Sequence, residues 1–249
     1  CAGRWARHAE YRRDRRRNPV TRQLSSPENR GPLKILFAIT VHEAAHGWMA
    51  KRLGDRTAEM MGRVTLNPLK HIDPIGTILV PLLVFFMSGF VFGWAKPVPV
   101  DWRNFKHPKQ DMAWVAVAGP ASNLLMALAW ALAARIALGL PADNWIALPL
   151  LFMGVAGIFI NTILMVLNLL PLPPLDGGRV VTGLLPAPYA YQFARIEPYG
   201  FFILVALLVT GVLSIVMWPV VKLFLQMMAS VAGMKPGYLE TILFALMRS

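Results

Sequence analysis

Cysteine and charge are both scarce in this chain. Cys1 is the single cysteine among 249 residues, and only 15% of the chain is charged. One cysteine excludes an internal disulfide framework and any zinc site built on thiolates. Soluble domains carry roughly 25% charged and about 45–50% apolar residues, whereas here 56% are hydrophobic and the mean hydropathy is +0.50. Both departures exclude a disordered chain and an ordinary soluble enzyme, and they point to an integral membrane protein. Acids are scarcer than bases, 13 against 25, for a net charge of +12. The excess is uneven: residues 1–34 hold ten Lys/Arg against Glu10, Asp14 and Glu28. Beside a membrane helix, such a tail pairs with anionic headgroups. It carries no nucleic-acid-binding signature, so no nucleic-acid partner is expected. The tail is expected to be disordered. Cys1 at the first position fits a truncated or mis-started frame better than a lipidated cysteine.

What the chain does have is long apolar runs. A spanning helix needs about 20 mainly apolar residues, and five stretches reach or approach this, at 33–53, 75–94, 112–140, 148–170 and 201–219. A sixth, 220–234, is shorter, contains Lys222 and Gln226, and suits a short span or an interfacial helix. The expected fold is an all-α polytopic membrane protein of about five to six apolar helices or segments, with short extended or β elements in the connectors. Its expected divisions are the tail 1–34, a core over 35–219 and a C-terminal piece over 220–249. Within the connectors, 63–66 reads as a short strand. The run 93–100, with Pro97 and Pro99, reads as extended edge backbone, since alternate prolines forbid a central strand or helix. Pro171, Pro173 and Pro174 end the fourth run, and Asp176-Gly177-Gly178 follows as turn chemistry.

Ionisable groups inside an apolar run are costly, about 2.5–3.5 kcal/mol for a charged one at the centre of a spanning helix on insertion scales. The first run nevertheless holds His42-Glu43-Ala44-Ala45-His46, the H-E-x-x-H pattern. Residues four apart share a helix face, so both imidazoles reach one ion. Glu43, next to the first ligand, is placed to take a proton from the attacking water. Catalytic zinc usually takes three protein ligands and water, so one more is needed. Asp176 is the carboxylate that a helix break delivers at membrane depth. His71, in Asn67-Pro68-Leu69-Lys70-His71, is its main competitor, although a structural or substrate-side role suits it better. Asn161 and Asn168 share one face of the fourth run, and helix–helix hydrogen bonding is their default role. Asn168 is also placed to bind a substrate backbone. Gly119-Pro120-Ala121-Ser122-Asn123 supplies small residues for close helix approach, with Asn123 a secondary substrate contact.

These motifs together resemble the site-2 protease family of intramembrane zinc metalloproteases, in its compact prokaryotic branch without PDZ or CBS domains. The resemblance rests on 40–47, 67–77, 93–100, 119–123 and 168–178, and so covers most of the chain. It implies one zinc ion held by His42, His46 and Asp176, Glu43 as the catalytic base, and Asn168 in contact with substrate. The implied partners are the lipid bilayer and a membrane protein whose transmembrane helix unwinds locally. The implied location is a prokaryotic inner membrane. The competing functions are a catalytically silent zinc-binding membrane protein and a metal or proton transporter. A silent binder has no need of Glu43, and a transporter spreads its ionisable groups along a path.

The site also dictates topology. For His42 and His46 to meet Asp176, the first and fourth runs must point the same way and 112–140 the opposite way. The 75–94 run is then expected to dip in and return without spanning.

Overall fold

The computed structural model describes residues 32–71, 73, 76, 96–141 and 143–248. In chain order, these form α1 (Pro32–Leu53), α2 (Thr57–Met60), α3 (Pro108–Gly139), α4 (Ala147–Asn168), α5 (Asp176–Leu184), α6 (Ala187–Ala194), α7 (Glu197–Val209), α8 (Val212–Val231) and α9 (Tyr238–Arg248). Two 3-10 turns, Pro68–His71 and Trp102–Asn104, lie in the connector between α2 and α3. The 75–94 run lies, apart from Gly76, outside the described residues.

Helices α3, α4 and α8 are long and apolar enough to cross a membrane. The pair α6–α7, bent by 60° at its break, makes a fourth if taken as one span. Among the described residues this is fewer than the five to six apolar helices or segments expected, one of which, 75–94, lies almost wholly outside them. Helix α1 does not reach that apolarity, because it gives its middle to His42, Glu43 and His46 and its last turn to Lys51 and Arg52.

Small residues set the packing of α3. An added Cβ at Gly154 would lie 2.8 Å from the Ala134 Cβ, and one at Gly157 would lie 2.3 Å from the Trp130 ring. Such close approach holds α3 and α4 together without a hydrophobic driving force. The pairs 134 with 154 and 130 with 157 run in opposite senses, so α3 and α4 are antiparallel. Against α1, His46 meets Val115 and Gly119, while Ala50 joins Val115 and Phe105 in a small buried cluster. Helix α1 is therefore antiparallel to α3 and parallel to α4, as the site requires.

The connector closes on Asp55, which is buried. Its carboxylate accepts from the Thr57 amide (3.0 Å) and hydroxyl, the Asp101 amide (2.8 Å) and the Asn104 side chain (2.8 Å). Burial pushes this carboxyl up, but the hydrogen bonds outweigh it and hold the pKa below the ordinary carboxylate value. The end of α1 and the start of α3 are thereby tied to the same end of the bundle.

Two expectations are corrected. Among the described residues no strand forms. Residues 63–66 bend instead: the Arg63 amide bonds the Ala58 carbonyl at 2.8 Å, and its guanidinium bonds the Lys70 carbonyl. Residues 96–100 form no regular element, and Pro97 and Pro99 deprive them of a ladder. Second, the last apolar region breaks at Gly211, not Pro219. Gly211 takes φ +76°, which only glycine adopts freely, and α8 runs on through an exposed Pro219. Helix α9 then returns to bury Leu239, Ile242 and Leu243 in the core.

Candidate metal centre

His42 and His46 are one turn apart on α1, both buried, with rings edge-to-face and 4.7 Å between centroids. The His46 Nδ1–H donates to the Val115 carbonyl at 2.7 Å. That bond fixes the tautomer and turns the free Nε2 lone pair inward. Helix α3 can lie this close because residue 119 is glycine. A Cβ there would sit 2.5 Å from the His46 ring and 2.6 Å from the His42 ring.

Asp176 reaches the pair from the start of α5. After α4 the chain folds back so tightly that a Cβ at Gly177 would lie 2.3 Å from the Leu169 carbonyl oxygen, and one at Gly178 would lie 2.4 Å from the Pro173 nitrogen. The two glycines are therefore needed to deliver the carboxylate. Its Oδ2 lies 3.1 Å from the His42 Nε2 and 3.3 Å from the His46 Nε2, and the two nitrogens are 3.1 Å apart.

These donors fit a metal. Tetrahedral ligands at about 2.0–2.1 Å from zinc lie about 3.3 Å from one another, close to all three observed separations. His42, His46 and Asp176 are the group among the described residues whose donor atoms converge in this way, and all three are buried. Converging lone pairs on two imidazoles and a carboxylate repel unless a cation lies between them. Two nitrogens and one oxygen are donors of the kind that catalytic zinc sites use.

Glu43 stands beside the triad, half-buried, with its Oε2 accepting from the Val98 amide at 3.0 Å. His71 does not join the metal group. It is 1% exposed in the connector, with its Nε2 3.0 Å from the Thr65 carbonyl. Asn168 is the last residue of α4, and its side-chain amide donates to the Leu164 carbonyl at 2.9 Å. Asn123, one turn deeper than Gly119 on the same face of α3, is 0% exposed and neither of its amide atoms has a partner. Asn161 bonds the Gly157 carbonyl at 2.9 Å, two turns from Asn168.

The model of Peptidase family M50 matches residues 144–211, the stretch that carries Asn168 and Asp176. A Bacillus subtilis (strain 168) protein named "Putative zinc metalloprotease YwhC" is 39% identical over 200 residues, covering 76% of this chain and 84% of that protein. The chain belongs to Peptidase family M50, the site-2 proteases. Among its relatives, "Putative zinc metalloprotease Rip2" of Mycolicibacterium smegmatis is 33% identical over 182 residues, covering 72% of this chain and 66% of that protein. Its Mycobacterium tuberculosis (strain H37Rv) namesake is 30% identical over 143 residues, covering 57% and 52%. No solved structure matches the chain. The sequence motifs that resembled this family therefore identify it correctly.

Within this M50 site, sequence reasoning overlooked three contributors. Gly119 read as a packing residue, yet it admits the two imidazoles. The Val115 carbonyl and the Val98 amide are backbone groups, and no side-chain pattern marks them.

Proposed function

We propose that this protein is an intramembrane zinc metalloendopeptidase, which hydrolyses peptide bonds in or near transmembrane segments of membrane protein substrates during regulated intramembrane proteolysis. The observation that carries this reading is the buried convergence of His42, His46 and Asp176 beside Glu43, in a bundle whose neighbouring helices are apolar enough to span a bilayer.

His42, His46 and Asp176 would hold the ion. Bound zinc supplies Lewis acidity, acidifying a water and polarising the scissile carbonyl. Glu43 accepts the proton of that water and returns it to the departing amine as the C–N bond breaks. Val115 keeps His46 in its ligating tautomer throughout. A helical substrate has its backbone groups paired internally, so it must unwind locally before Glu43 can act on it. Asn168, at the end of α4 and eight residues before Asp176, is the proposed contact to the unwound backbone. Asn123, with both amide atoms unpaired, is the proposed second contact, directly or through a water.

Lys51, Arg52, Arg56, Arg63, Lys70, Lys96, Arg103, Lys106 and Lys109 all lie at or between the end of α1 and the start of α3. By the positive-inside rule this end is cytoplasmic. We place the protein in a prokaryotic inner membrane, with α1 as a further span. The decisive experiment incubates detergent-purified, zinc-loaded protein with a helical membrane substrate. Cleavage that disappears in Glu43→Gln, with zinc retained, is expected. A wild-type protein that binds zinc without cleaving any such substrate would favour the silent binder.

A further inference from the structure

We propose that residues 96–100 form a strap whose Val98 amide positions Glu43 for proton transfer, and that His71 is a positioning residue that holds the strap. This rests on the reading of Glu43 as the base.

Pro97 and Pro99 have no N–H, so Val98 provides the one amide donor across these three residues. That donor goes to the Glu43 Oε2 at 3.0 Å, across 55 residues of sequence. The bond holds one carboxylate oxygen and leaves Oε1 for the proton of the attacking water. Side-chain packing supports it. Residue 47, one turn beyond Glu43, is glycine, and a Cβ there would meet the Val64 side chain at 2.9 Å and the Val98 side chain at 3.2 Å. The missing side chain lets Val98, only 8% exposed, settle onto α1.

Both ends of the strap are fixed. Downstream, the Asp101 amide donates to the Asp55 carboxylate at 2.8 Å. Upstream, the Lys96 amide donates to the His71 carbonyl at 2.9 Å. The His71 ring, buried to 1% exposure, anchors its own turn by donating Nε2–H to the Thr65 carbonyl at 3.0 Å. A carbonyl only accepts, so the ring carries its proton on Nε2. A histidine whose sequence context favoured a structural or substrate-side role thus acts on the base through two backbone hydrogen bonds.

The cleanest test replaces Val98 in the full chain with its α-hydroxy acid, an amide-to-ester change that removes the donor and keeps the side chain. A hydrogen bond to a charged group is worth enough for kcat to fall about ten- to hundredfold. KM and zinc content should stay at wild-type values, and the melting temperature should fall by no more than the several degrees that one lost hydrogen bond accounts for. His71→Ala should lower kcat in the same way, and His71→Gln, whose amide nitrogen can replace Nε2, should restore most of it. Amide exchange gives a readout that needs no turnover: Val98 should exchange faster in Glu43→Ala and His71→Ala. An ester variant with wild-type kcat overturns the proposal. So does one that raises KM alone, which would give the amide to substrate binding, or one that loses zinc or melts more than several degrees early, which would make the strap merely structural. Should His71→Ala fail to fold, the ester decides alone. Full activity in Glu43→Gln would instead sink the role of the base, whatever the ester does.

Discussion

Helices α1 and α8 have nearly equal length, 22 and 20 residues, and each buries a stripe at three- to four-residue spacing. In α8 that stripe is Leu213, Met217, Val221, Leu225 and Met228, with Ile215, Trp218 and Leu223 exposed around it. In α1 it is Ala38, His42, His46 and Ala50. The geometry is shared and the chemistry is opposite. An apolar stripe is interchangeable with lipid, so α8 needs only shape to pack. A stripe with two imidazoles is stable only where other elements answer it, and α3 and α5 do so with the Val115 carbonyl, Gly119 and Asp176. Polarity in α1 thus specifies its neighbours, while apolarity in α8 leaves them open.

The largest effect that would sharpen this contrast is chemical. Glu43→Gln should lower turnover about 10²–10⁴-fold, the range of general acid–base catalysis, with metal content by elemental analysis unchanged. Loss of metal would remove Glu43 from the role of base and make it a ligand. Next comes Gly119→Ala, whose methyl would enter the imidazole pair. Zinc affinity should weaken about tenfold or more, as changes around ligands do. Gly139→Ala at the other end of α3 meets nothing within 4 Å and should leave metal and stability unaltered. Equal loss in both variants would break the claim that α1 specifies its contacts.

On the α8 side, Leu225→Ala, at a 2% exposed position, removes packing but little transfer energy, since lipid is as apolar as leucine. A cost of about 1–2 kcal/mol in bicelle unfolding is expected, below the 2–5 of soluble cores, and zinc content should not change. The smallest effect lies in the connector. The lowered pKa of Asp55 means that its contribution to stability is present above the unfolded pKa, about 3.9. That contribution disappears as pH falls through the folded value. Asp55→Ala should therefore melt below wild type at pH 7, and the gap should close toward acid. A gap that widens in acid would reverse the sign.

The site's side chains were legible because they break the rules of their surroundings. Two histidines and a glutamate in an apolar run, and an aspartate at a proline-terminated helix end, stand out in the sequence alone. Their spacing even set the relative directions of α1, α3 and α4. Other features were not legible, for identifiable reasons. Gly119 and Gly47 look like packing glycines until the atoms over them are known. The Val98 amide and Val115 carbonyl belong to every residue and carry no signature. The 63–66 stretch has strand-like residues, but a strand needs a partner, and the turn after α2 supplies another acceptor first. Pro219 looks like a helix end, yet an exposed proline in an apolar helix is tolerated, and the left-handed Gly211 breaks the chain earlier.

By itself the sequence determined the membrane class, the family and the four side chains proposed for metal and proton chemistry, because burying charge in an apolar chain leaves few alternatives. Tertiary structure decided how those side chains meet: the glycine gap that admits the imidazoles, the carbonyl that fixes a tautomer and the strap that meets the glutamate. Those depend on backbone groups and empty space, which every sequence contains and only packing makes specific.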